Sequence, residues 1–222
     1  MESRASGRAA AACAIAGSLL LLVGTYLHPM GADPNDAQAA FAEYAADRLW
    51  VASHLLQLAG VAGMVAAVLL LFRREEAASG WARIASGSAI ASLAVAAALQ
   101  AVDGVALKVM VDTWAAAPAS QQEAAFRAAF AVRQIEAGLA SMVSLLLGFT
   151  SAASGVALMI ERRYPRWLGA LGVLGGVPTM AAGVAIAYTG FSGLAMAINM
   201  PASSLLLVWM LLLGGFMWRR SS

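Results

Sequence analysis

Two histidines and one aspartate stand at matching distances from basic residues across long apolar runs. His28 lies 20 residues after Arg8, His54 lies 19 before Arg73, and Asp103 lies 20 after Arg83. At ~1.5 Å rise per helical residue each comes roughly 30 Å from its basic end, the thickness of a bilayer's hydrocarbon core. If the runs are membrane helices, the three side chains share one level at the far boundary of the hydrocarbon. Glu136, 25 residues before Glu161, belongs slightly higher or on a tilted helix. Arg133 and Lys108 fall in the same outer layer. Imidazole nitrogens and carboxylate oxygens are metal ligands, and an ionisable residue just inside a membrane helix is a site hypothesis once its partner is named.

Asp103 and Gln100 are three residues apart and share a helix face, whereas Lys108 is about 140° round from Asp103. Arg133, at the entry to the next span, is therefore the expected partner of Asp103. The sharper reading is a polar pocket open to the outer side, drawn from His28, His54, Gln57, Gln100, Asp103, Lys108, Arg133 and Glu136. The plainer reading is a set of interfacial residues: Lys108 pairs with Asp112 at i+4, His28 caps carbonyls before Pro29, and His54 with Gln57 forms a polar pair between helices. No cofactor is expected on the leading reading. The alternative is a haem held by His28 and His54, or a metal ion held by His28, His54, Asp103 and Glu136, serving a membrane oxidoreductase. Gly190-Phe191-Ser192-Gly193 has the G-x-S-G pattern of intramembrane serine proteases, but a turn accounts for it better. No residue is assigned a catalytic role.

Composition says what solvent these residues sit in. The chain has 222 residues, of which 61% are hydrophobic and 12% charged, with mean hydropathy +0.77. The charged share is about half that of soluble domains. A soluble fold of this composition would expose large apolar patches, so a bilayer is the natural surrounding. One cysteine, Cys13, excludes an internal disulfide and a Cys-x-x-Cys pair, and in apolar surroundings its thiol is inert. No basic stripe exists for nucleic acid.

The fold class is all-α: a polytopic membrane bundle of six transmembrane helices with two short amphipathic helices on the outer side, in a single membrane domain over 1–222. The spans are expected at about 9–27, 50–72, 84–105, 135–160, 168–188 and 201–218, and the amphipathic helices at about 34–48 and 120–133. Each apolar run is about the 20 residues that crossing requires. Asp33 caps the first outer helix, with Pro34 in its first turn and Asp36 as a capping partner. Phe41, Tyr44 and Arg48 share one side of it, which suits a helix on the membrane surface. Ser120 and Glu123 form a capping box for the second. Trp50 fits an interfacial anchor. Pro201 fits the first turn of the last span, and Pro178 kinks the fifth.

Ten basic residues (Arg4, Arg8, Arg73, Arg74, Arg83, Arg162, Arg163, Arg166, Arg219 and Arg220) fall on one side of this topology and four (Arg48, Lys108, Arg127 and Arg133) on the other. That asymmetry places both termini in the cytoplasm. The inner half of every expected span lacks Asp, Glu, Lys, Arg and His. Gly172 and Gly176 form a G-x-x-x-G, Gly60 and Gly63 recur in the second span, and Gly148, Ser151, Ala152 and Gly155 in the fourth. Such residues let helix backbones approach closely. The methionines are core or lipid-facing filler.

The segment RWLGALGVLGG, Arg166 to Gly176, resembles a phrase found in an uncharacterised family of bacterial multi-helix integral membrane proteins, a domain of unknown function. The His-Pro loop, Trp50 and the following SHLLQLAG are similar too. The resemblance implies the architecture and a bacterial cytoplasmic (inner) membrane, and carries no catalytic roles. The expected function is non-enzymatic: an outer-leaflet pocket binding a lipid or small apolar molecule, as a sensor, carrier or accessory subunit. Expected partners are membrane lipids and a membrane protein or a second copy of the chain. A small transporter is a further alternative, but it would want polar groups near the midplane.

Overall fold

A computed structural model describes residues 2–73 and 79–221, with side chains from residue 5 onward. Arg74 and the side chain of Arg4, counted above, lie outside the described residues. In chain order the helices are α1 (Glu2–Leu27), α2 (Ala37–Ala46), α3 (Trp50–Phe72), α4 (Gly80–Gln100), a π-helical stretch (Ala101–Leu107), α5 (Lys108–Ala116), α6 (Gln122–Glu161), α7 (Arg166–Thr189) and α8 (Gly193–Ser221). No strand occurs among the described residues. Six helical segments are long and apolar enough to cross a membrane, with α4, the π stretch and α5 counting as one of 37 residues.

The six pack as a ring in chain order: α1 on α3, α3 on α4, α4 on α6, α6 on α7, α7 on α8, and α8 back on α1. Neighbours run antiparallel. Gly17 of α1 meets Gly60 and Gly63 of α3, while Gly24 meets Ser53 and Gln57. Gly148 and Gly155 of α6 meet Gly176 and Gly169 of α7, in reverse order. A methyl group built on Gly148 would stand 2.6 Å from the Gly176 carbonyl oxygen, so glycine is what allows this approach. On its other side α7 presents Gly172 to the indole of Trp209 and Gly175 to Leu206, both on α8. The G-x-x-x-G pair is therefore divided between two neighbours. Across α4 and α6, Ser92 and Ser88 hydrogen bond to Thr150, which gives those hydroxyls partners where water is scarce.

Two apolar cores result. The larger fills the ring from Ala10 and Ala14 through Val61, Val65 and Phe72 to Trp209 and Leu213. The smaller caps one end, where Phe41 and Tyr44 of α2 pack with Trp50, Leu107, Val111 and Ala129. The apolar face of α2 is thus turned onto α5 and the start of α6, and Phe41 is fully buried. The amphipathic pattern of this outer segment is satisfied by packing on the bundle. Asp36, not Asp33, is its N-cap and accepts from the Ala39 N–H at 3.1 Å. Asp33 instead accepts from the Asn35 N–H.

Four further expectations change. The second outer helix is not separate: residues 122 to 133 are the opening turns of the 40-residue α6. The Ser120 capping box does not form, because the helix starts later, with Gln121 at the cap and no side-chain cap bond. The third apolar run continues as helix well past 105, because the π stretch carries it into α5 unbroken. The last span begins eight residues before Pro201, which lies inside α8; Ser192 starts it, accepting from the Ala195 N–H.

Candidate functional site

The polar residues gather where the capping layer meets the ring. At the foot of α3, His54 is 2% exposed, and its Nε2 lies 3.1 Å from Oδ2 of Asp103. That is an ion-pair distance, but the pair is out of line for a good hydrogen bond, and Oδ1 of Asp103 is buried with no partner. On the other side of the ring, His54 Nδ1 is 2.6 Å from the Trp50 carbonyl. A carbonyl only accepts, so Nδ1 carries the hydrogen. One helical turn along, the Gln100 side-chain amide donates to Oε1 of Gln57 at 3.2 Å. Gln57 therefore pairs across to α4 rather than with His54.

The π stretch positions Asp103. π-helical turns are wider than α turns and cluster at functional sites. Here the Asp103 carbonyl accepts the Trp50 indole N–H at 3.0 Å, while its carboxylate faces His54. Gly104 makes room for this: a methyl group there would stand 2.6 Å from Cβ of His54. Trp50 is only 1% exposed and stacks among His28, Tyr44 and His54, with ring centroids 4.3–4.8 Å away. It is a wall of the site and not an interfacial anchor. Its i, i+4 spacing from His54 was the available signal.

His28 follows the last turn of α1, and its ring centroid lies 5.0 Å from that of His54. Its Nδ1 bonds the Pro29 carbonyl at 2.7 Å, again as donor. Burial holds its imidazole below the usual histidine pKa of 6.5, which leaves the ring neutral. Burial also pushes the Tyr44 phenol up to about 12, so it stays un-ionised. A bis-histidine haem places its ligands on opposite faces of the macrocycle; rings in contact leave no space for a porphyrin between them.

Arg133 does not reach Asp103. Its Nη1 takes both oxygens of Glu136, one turn along α6, at 2.6 Å, and Nη2 donates to the Pro34 carbonyl at 3.3 Å. The guanidinium also lies 4.6 Å from the Phe191 ring centroid. Both members are buried, at 7% and 3% exposure. The nearer acid has captured the cation, which is why the expected Asp103–Arg133 pair is absent and Asp103 faces His54 instead. Lys108 turns the other way. Its ammonium bonds the carbonyls of Tyr44 and Ala45 at 2.9 and 3.1 Å and Asp112 at 2.8 Å. It caps the C-terminal end of α2, where a cation is favoured by the helix dipole. Ser192 bonds Thr189 and caps α8, as a turn residue should.

Between these groups lies a cavity of about 480 Å³. His28, Tyr44, Asp103, Arg133 and Glu136 form its polar end, and Leu99, Ala140, Met196 and Met200 its apolar wall. Glu43 holds the loop over it, accepting the N–H groups of Gly31 and Ala32 at 2.9 Å. Asn35 ties that loop to the α7–α8 turn through the Phe191 carbonyl at 2.8 Å. The methionines and Phe191 had no sequence signal beyond apolarity, because their part in the cavity depends on which neighbour each helix faces.

A ring of antiparallel apolar helices with a capped, part-polar cavity at one end is a multi-pass membrane protein of the helical-bundle class. Over residues 9–214 the chain matches the family described as Domain of unknown function (DUF4386), and it belongs to that family. No curated protein and no solved structure matches it.

Proposed function

We propose that the protein lies in a bacterial cytoplasmic membrane with both termini inside, and that its outer-level cavity binds a lipid or similar small amphiphile as a sensor, carrier or accessory subunit. The cavity's amphipathic lining carries the reading. Ligand sites are mostly apolar concavities of about 300–1,000 Å³ with a few convergent polar groups. Here an acyl or other apolar portion would lie along Leu99, Met196 and Met200, with its polar end toward Arg133, Glu136 and Tyr44. The basic asymmetry between the two ends supports the orientation.

The test uses the full chain in mild detergent. Native mass spectrometry is expected to detect a retained lipid, and a fluorescent fatty-acid probe is expected to be displaced by lipid extract. Ala140→Trp fills the cavity and should reduce probe affinity at least tenfold, while Glu123→Gln, far out on α6, should not. A wild-type chain that holds neither lipid nor probe above the detergent background would sink the reading.

A further inference from the structure

We propose that His28, His54 and Asp103 form a binding site for a divalent first-row metal ion of the zinc class, at the inner wall of the cavity. One ligand atom from each residue lies within 4.8 Å of the others. Three features beyond proximity point to an ion.

The first is tautomer. Both imidazoles give their Nδ1 hydrogen to a backbone carbonyl, His28 to Pro29 and His54 to Trp50. Metal-binding histidines are characteristically fixed in this way, with the second nitrogen tied to a carbonyl or carboxylate and the other left as the ligand. Nε2 is therefore the nitrogen of each ring left to meet an ion.

The second is an unpaired set of acceptors. A neutral His54 would bring an Nε2 lone pair to 3.1 Å from a carboxylate oxygen. Nothing attractive acts between two acceptors unless a cation or a proton lies with them. His54 Nε2 and Asp103 Oδ1 are both buried without a hydrogen-bond partner. Two ligands of one tetrahedral ion, bound at about 2.0–2.1 Å, stand roughly 3.3 Å apart, close to what is found here.

The third is an open side. Two histidines and one carboxylate are the three protein ligands of zinc sites that keep a fourth position free. Asp103 and His28 both line the cavity, whereas His54 is enclosed behind them. The free position thus opens on the cavity, beside Glu136. Glu136 itself is committed to Arg133 and is not a ligand, which narrows the set expected from the sequence to three.

The metal reading stands whether or not an amphiphile binds, and its test reads the ion alone. The purified full chain, in a Cys13→Ala background, is stripped with chelator and titrated with Zn²⁺ and with Co²⁺. Stoichiometric uptake is expected, with the visible absorption of a low-coordinate Co²⁺ ion and a higher Tm for the zinc form. His54→Gln and Asp103→Asn should each weaken binding at least a hundredfold, beyond the ~10–100-fold that loss of an outer-shell partner brings. His28→Gln, at a half-buried position past the end of α1, gives the same readout if the other two fail to fold. Absence of stoichiometric metal in the Cys13→Ala chain with all three ligands intact would mean that His54 and Asp103 share only a proton, and would overturn the proposal. Metal retained with unchanged affinity in the folded variants would overturn it equally.

Discussion

The buried ion pair Arg133–Glu136 lies within one turn of α6. Arg133 is satisfied by a residue three positions away on its own helix, by the Pro34 carbonyl and by an aromatic face. Breaking such a pair leaves one charge buried without compensation and costs about 3–5 kcal/mol. Arg133→Met or Glu136→Leu alone is expected to lower stability by that order, read as thermal unfolding in detergent. The double variant should recover most of the loss, because neither charge is then stranded. At this scale the sequence was partly legible. Counting helical rises placed His28, His54 and Asp103 at one level, since the rise per residue is nearly constant. The partner of Asp103 was not legible. Angular position round a helix assumes α geometry, and the π stretch resets that angle at Asp103 itself.

Among the elements, the α6–α7 pair shows most directly how this sequence makes its structure. Their glycines interlock backbone to backbone, so a larger side chain has nowhere to go. Gly148→Val is expected to destabilise by about 1–3 kcal/mol, the usual cost of overpacking. Gly138→Ala is the contrast. A methyl group there meets nothing within 4 Å, so the change should be neutral or stabilising by up to about 1 kcal/mol through helix propensity. Unfolding curves of the two variants in one detergent separate packing from propensity. The glycines were visible in the sequence, but not which neighbour each would meet. The outer segments misled for a related reason. An amphipathic pattern says that one face is buried and does not say against what. It also does not say whether a polar helix is detached or is the first turns of a span, as in α6.

For the molecule as a whole, hydropathy located the spans because a bilayer demands long apolar helices; their polar extensions at Lys108–Ala116 and Gln122–Arg133 carry no such demand. The proposed orientation has a direct check. Cys13 is the sole cysteine, so replacing it with serine gives a clean background. A cysteine at Gln122 should react with an impermeant maleimide in intact cells, and one at Arg219 only after lysis. The reverse pattern would invert the assignment and move the cavity to the cytoplasmic leaflet.

The ring has one boundary unlike the rest. Between α8 and α1 no stretch of described chain makes a connection, and only side chains and backbone in contact, such as Gly214 against Ala14, hold the two together. Every other pair of neighbours is leashed by the loop that follows one and precedes the next. The tight approach of Gly214 to Ala14 and Ile15 therefore has to close the ring by packing alone, and Gly214→Val is expected to loosen the α8–α1 contact first.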